Sequence, residues 1–217
     1  MQATYYLQRG QLPAAYRVFQ RLPEEAWDNY GEYTPFVPFL NDRVNVRLSD
    51  TIRAYNKGQM MARILELDSE AEIATNPDEA ARKFFAVGLG YYNMSYFGYN
   101  WRAADYFRSG SSAARAAKGE GKNNVFSTLE SRFGNFENMS MERALYYFER
   151  ARTRAYDPEI AARATFWAAK AERNDNYAKG RARTFGYLNI LANNYQSTRF
   201  YQQAVAECRT FAWYSGN

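Results

Sequence analysis

Paired carboxylates, a lone thiol and a set of arginines are the residues of this 217-residue chain whose types and spacing could do chemistry. Two carboxylates facing one another across a cleft cleave glycosides. The close acid pairs are Glu24-Glu25, Glu70-Glu72 and Asp78-Glu79. Each falls at an expected helix start or on an outward helix face, where the positive end of the helix dipole or solvent receives the charge. Cys208 as a nucleophile needs a neighbouring base, and the chain has no histidine. The thiol also shares a helical stripe with Val205 and Phe211, which predicts a small core residue. One cysteine and no histidine exclude histidine-dependent triads, the common zinc sets, haem attachment and an intramolecular disulfide. Gly88-Leu89-Gly90 lies inside a helical pattern with no strand before it, so it is not a phosphate-cradling loop. The chain is therefore expected not to be an enzyme, with no catalytic, metal or cofactor-binding residue to assign.

The arginines carry a different chemistry. Of the 28 basic residues 22 are arginine, against 23 acidic residues in all. The excess sits at one end: residues 143–217 hold twelve basic and six acidic side chains. Arg150, Arg152, Arg154, Arg163, Arg181 and Arg183 could hold the phosphates of a nucleic acid or another polyanion, with tyrosine or tryptophan stacked on the bases. The competing reading is a set of solvated helix faces, since these residues are mostly spaced singly among alanines and aromatics.

The elements that must position any such site are helical. The 32 alanines far outnumber the 12 valines and isoleucines together, so helix formers abound and strand formers are scarce. Hydrophobic residues make up 47% and aromatic residues 18%, yet mean hydropathy is −0.64. That combination fits alanine and aromatic seams in an elongated stack coated by arginine, asparagine and glutamine. No run of about 18 apolar residues is present, so no transmembrane helix is expected, and the polar start does not read as a secretory signal. The opening helix begins mid-pattern, which predicts a chain that continues a longer array.

A first hairpin is expected over residues 3–22, with Gly10 at its turn, small Ala3 and Ala15 at the close approach, and Phe19 and Leu22 in the groove beyond. Pro35 and Pro38 break any helix in the following segment, which reads as an ordered loop packing Phe36, Phe39 and Leu40. Helices are expected near 50–56 and over 59–74. Asn76-Pro77-Asp78-Glu79 is a strong start for a helix over 77–96, because it combines a cap, a first-turn proline and two acids. Helix 101–109 would complete a second hairpin, and residues 109–124 read as a flexible linker. A helix opening at Ser140 comes next. Asp157-Pro158-Glu159 then starts helix 158–173, a turn is expected at Asn174-Asp175-Asn176-Tyr177, and helices over 179–193 and 198–213 end the chain.

The hairpin from Ala3 to Leu22, that from Gly90 to Phe107, and the helix pair from Pro158 to Leu191 resemble tetratricopeptide repeats over a little more than half of the chain. The segments at 90–98, 144–151, 168–174 and 195–208 are similar to parts of long, uncharacterised tetratricopeptide-like proteins of Bacteroidetes bacteria. The resemblance implies an all-α fold in which antiparallel hairpins stack as a tetratricopeptide-like α-solenoid, residues 1–217 forming a single array. It further implies a scaffold of the bacterial cell envelope, on the periplasmic side, although a cytoplasmic location stays open. The expected function is non-catalytic binding of a protein or peptide partner within a larger assembly. Nucleic-acid or polyanion binding through residues 143–217 is the alternative, and binding or cleavage of an envelope glycan is a third reading. In such arrays the first helix of each hairpin lines the concave face. The resemblance therefore makes Asn93, Tyr96, Glu172, Arg173 and Asn176 contact candidates, and the competing role for them is capping carbonyls or bridging hairpins.

Overall fold

In the computed structural model, residues 2–40, 52–104 and 138–216 are described, and apart from one two-residue strand pair they form helices and the turns between them. Helix α1 spans Gln2–Gln8 and α2 spans Leu12–Phe19. A 3-10 helix at Glu24–Tyr30 leads to β1 (Glu32–Tyr33), which pairs antiparallel with β2 (Tyr55–Asn56). The central helices are α3 (Lys57–Ile73), α4 (Pro77–Met94), α5 (Glu142–Arg154) and α6 (Pro158–Ala178). The chain closes with α7 (Gly186–Asn194), α8 (Arg199–Glu207) and α9 (Arg209–Ser215). The all-α expectation holds, and among the described residues no helix is long and apolar enough to cross a membrane.

Gly10 turns α1 into α2 at φ +66°, with Ala3, Ala15 and Phe19 buried between the helices and their neighbours. The loop at 34–40 is ordered by its carbonyls: Asn93 donates to Pro35 O and Val37 O, and Lys170 donates to Phe39 O and Leu40 O. Phe36 and Leu40 pack on the core, while Phe39 meets Tyr99 edge-on at 4.9 Å.

The core is densest where α4, α5 and α6 meet. Phe148 and Trp167 are fully buried, and ring centroids put Phe85 at 5.6 Å and Trp167 at 5.9 Å from Phe148. Gly88 makes this approach possible, since a Cβ there would lie 2.6 Å from the Phe148 ring. Ala144, Ala151, Ala164 and Ala168 are likewise buried, and their small side chains bring the helices close enough for the rings to interlock.

The expected boundaries need several corrections. The helix expected near 50–56 is extended in its described part, because Asn56 is committed as the cap of α3. Its side chain accepts from Gln59 N at 2.9 Å while the Gln59 side chain accepts from Asn56 N at 3.2 Å. Helix α3 consequently starts at Lys57 rather than at 59. The helix expected over 101–109 is a single 3-10 turn, Trp101–Ala103, as far as it is described. Residues 109–124, expected as a linker, lie outside the described residues.

Helix α6 runs through the turn expected at 174–177. Asn174 donates to Tyr92 Oη, Asp175 accepts from Met141 N and Lys179 Nζ, and Asn176 donates to Thr184 Oγ1, so all three side chains find partners off their own helix or one turn along it. Gly180, at φ +61°, ends it instead. The following residues are irregular up to α7, which starts at Gly186 rather than 179. The last helix is two, broken at Cys208.

Candidate functional site

Among the described residues, two surface places that combine apolar and charged groups stand out. At the first, the turns between α3 and α4 and between α5 and α6 come to one edge. Asp78 Oδ1, in the first turn of α4, accepts from Asp157 N at 2.9 Å and from Tyr156 N at 2.7 Å. These hydrogen bonds, that from Asp157 foremost, hold the Asp78 carboxyl below the usual carboxylate range. Beside them Arg150 forms a two-pronged ion pair with Glu72, one prong being Nη2 to Oε2 at 2.8 Å. Its guanidinium lies 3.9 Å from the Phe84 ring centroid. The same pairing lowers the Glu72 carboxyl pKa and raises that of Arg150. Ala71, Glu72, Phe84, Arg150, Thr153 and Arg154 line a shallow hollow of about 500 Å3 with its open side included. Around it stand large apolar side chains in solvent: Ile73 is 80% exposed, Tyr156 82% and Tyr146 51%.

The second place is a cleft between α6, the 179–185 connection, α7 and α9. Its walls are Leu40, Phe166, Ala169, Phe185, Leu188 and Phe211, and it encloses about 650 Å3 with its open mouth included. Phe166 and Phe211 meet edge-on at 6.3 Å, and Tyr214 stacks on Phe185 at 5.3 Å, which fixes the wall rings. Cys208 joins this wall as a buried thiol, in line with the expectation of a small core residue. Lys170, Arg173 and Arg183 bring positive charge, Thr184 and Thr210 bring hydroxyls, and among the described residues no carboxylate lines the cleft.

The five contact candidates fare differently. Asn93 and Asn176 are buried, Asn93 holding the carbonyls of Pro35 and Val37 and Asn176 holding Thr184, while Tyr96 is buried against Phe97. Glu172 and Arg173 are half-buried on α6, and Arg173 lines the cleft described above, its guanidinium donating to Asn174 Oδ1. Of the six arginines, Arg150 is committed to Glu72 and Arg152 to Glu149. Arg163 is exposed beside the Phe200 ring, Arg154 lines the edge hollow and Arg183 the cleft, and Arg181 is exposed on the same connection as Arg183.

Thr184 and Thr210 escaped the sequence reading, Thr184 because the chain over 181–185 was expected as part of a helix over 179–193. Gly180 was the available sign that the chain leaves the helix there. Tyr156 had its own sign, standing next to the Asp157 cap, at the point where a helix entry is exposed.

One polar cluster, between α3, α4 and α5, is internal. Tyr147 Oη donates to Asp68 Oδ2 at 2.8 Å and its ring stacks on Tyr91 at 5.6 Å. Burial, then the Asp68 carboxylate, raises the Tyr147 pKa, and burial pushes Tyr91 up to about 12. Both phenols stay neutral at physiological pH and serve as packing groups with a polar tip. No protein-family model, curated protein or solved structure matches this chain.

Proposed function

We propose that the chain is a non-catalytic helical scaffold, its hairpins stacked in the manner of tetratricopeptide repeats, that binds a protein partner within a larger bacterial assembly of the cell envelope. Support for stacking comes from the contacts, since α3 packs on α4, α4 on α5 and α5 on α6, each on the next of the described α-helices. The observation that carries partner binding is the edge, where Ile73 and Tyr156 stand in water around the Arg150–Glu72 pair. Exposed apolar groups ringed by polar ones mark protein contact surfaces, and tyrosine and arginine are the residues enriched at their centres.

A photo-crosslinking residue placed at Tyr156, compared with one at exposed Gln202 on α8, tests this in the native host. One discrete crosslinked partner at 156, absent at 202 and lost on Ile73→Lys, is the expected result. Equal labelling at both positions overturns it. The polyanion alternative draws on Arg154, Arg163, Arg181 and Arg183, which are exposed. Salt-sensitive retention on heparin that disappears with Arg181→Glu and Arg183→Glu would move the assignment there.

A further inference from the structure

We infer that the cleft between α6, α7 and α9 is a binding site for a small carboxylate with an aliphatic or aromatic tail, a ligand separate from the protein partner of the edge. Its walls are apolar rings and aliphatic side chains, as small-molecule sites require. The head group follows from the charges. Among the described lining residues the ionised side chains are Lys170, Arg173 and Arg183, all of one sign. An ammonium head would be repelled by that field, and a carboxylate drawn to it.

The groups play distinct parts. Lys170 Nζ donates to the carbonyls of Phe39 and Leu40 and lies 4.1 Å from the Trp167 ring centroid, so it holds the loop wall. Arg173 donates to Asn174 Oδ1 and supports the floor side. Arg183 is exposed at the mouth, a planar fork suited to a carboxylate. Thr184 Oγ1 accepts from Asn176 Nδ2 at 2.8 Å, which leaves its own hydrogen to donate to an acceptor next to Arg183. A compact ligand is favoured over an extended peptide, because the asparagines that could hold a peptide backbone near this site are spent inside. Asn174 donates to Tyr92 Oη and Asn176 to Thr184.

Titration calorimetry with decanoate and with decyltrimethylammonium, which share a tail and differ in head group, tests the inference on the whole chain. Decanoate should bind with one-to-one stoichiometry and the ammonium at least about tenfold more weakly. Arg183→Gln should weaken decanoate about tenfold and erase the preference between the two heads. Thr210→Trp, a plug at an exposed position of the rim, should weaken both. Circular dichroism confirms that each variant folds. Absence of decanoate binding, equal affinity for the two heads, or an unchanged Arg183→Gln variant each overturns the inference. So does tighter binding of a peptide ending in phenylalanine with a free carboxyl group than of its amide and of decanoate, which would assign the cleft to a protein terminus. None of these outcomes touches the edge on α3 and α5, so the scaffold reading stands or falls by its own crosslinks.

Discussion

Three of the four central helices begin on a side chain that takes up free backbone N–H groups. Asn56 caps α3, Asn76 accepts from Asp78 N and Glu79 N to cap α4, and Asp157 accepts from Glu159 N to cap α6. Among the three carboxy-terminal helices only α8 has such a cap, Thr198, while α7 follows Phe185 and α9 follows Cys208 without one. Length and burial differ in step. The central helices run from 13 to 21 residues, whereas α7, α8 and α9 have nine, nine and seven, and α7 buries a single residue, Leu191. Short helices of this kind are marginal on their own and depend on tertiary packing. The cleft lies at the seam between the two blocks, with α6 as its fixed wall and α7 and α9 as its lighter ones. A binding site placed there borrows rigidity from one side and keeps adjustability on the other.

The sharpest way to break this comparison is to remove one buried anchor from each block. Phe148→Ala should cost about 3–5 kcal/mol, since the ring is enclosed on all sides and leaves a cavity at Gly88. For a chain of this size that lowers the melting temperature by roughly 10 °C. Leu191→Ala should cost about 2 kcal/mol, the low end for such a change, because α7 is otherwise half-exposed and can collapse toward the gap. Calorimetry distinguishes them. Equal losses would mean that the carboxy-terminal block is packed as tightly as the centre.

A pH series probes the amino-terminal side of the central block. Lys57, in the first turn of α3, is buried, and its amine donates to Thr4 Oγ1 at 3.0 Å. Burial lowers its pKa to about 8. The unfolded chain keeps that proton up to about pH 10, so between these values the unfolded state binds more protons and stability rises with pH. Between pH 8 and 9.5 the gain is on the order of 1–2 kcal/mol. Tyr91 and Tyr187, both raised to about 12, add nothing to this slope, because their share of stability is level below pH 10 and is lost only above it. Urea melts of wild type and Lys57→Met across this window check the prediction: the variant should show no rise.

The same contrast explains what could be read from the sequence. Asn76-Pro77 and Asp157-Pro158 announce the starts of α4 and α6 because a cap and a first-turn proline act locally, within four residues. The end of α6 is not local. Asn174, Asp175 and Asn176 are poor helix formers, and partners off their own helix, Tyr92, Met141 and Thr184, together with Lys179 one turn along, keep them helical. The break at Cys208 carries no proline or glycine to signal it. Of the two surface sites, the arginines Arg150, Arg154, Arg173 and Arg183 were visible as types. Their commitments were not, since Glu72 reaches Arg150 from 78 residues away and no spacing rule connects them.

The smallest expected effects come from the caps, and they sharpen the comparison most. Asp157→Ala removes the acceptor of Glu159 N, and Thr198→Ala removes the acceptor of Tyr201 N. Each loss is worth about 1 kcal/mol by the ordinary cost of a cap. Helix α8 has a second support, however: Glu159 on α6 accepts from Arg199 N at 2.7 Å and Phe200 N at 3.0 Å. Burial pushes the Glu159 carboxyl up and these N–H groups pull it down, with the net direction down. Thr198→Ala should therefore cost less than Asp157→Ala, about half as much. Its effect should also be confined, raising hydrogen exchange in α8 and α9 while leaving α4 to α6 unchanged, whereas Asp157→Ala should speed exchange in both blocks because α6 is the wall they share. If Thr198→Ala speeds exchange in α4 as much as in α8, the two blocks open together, and the cleft between them would be a fixed cavity rather than one with a yielding side.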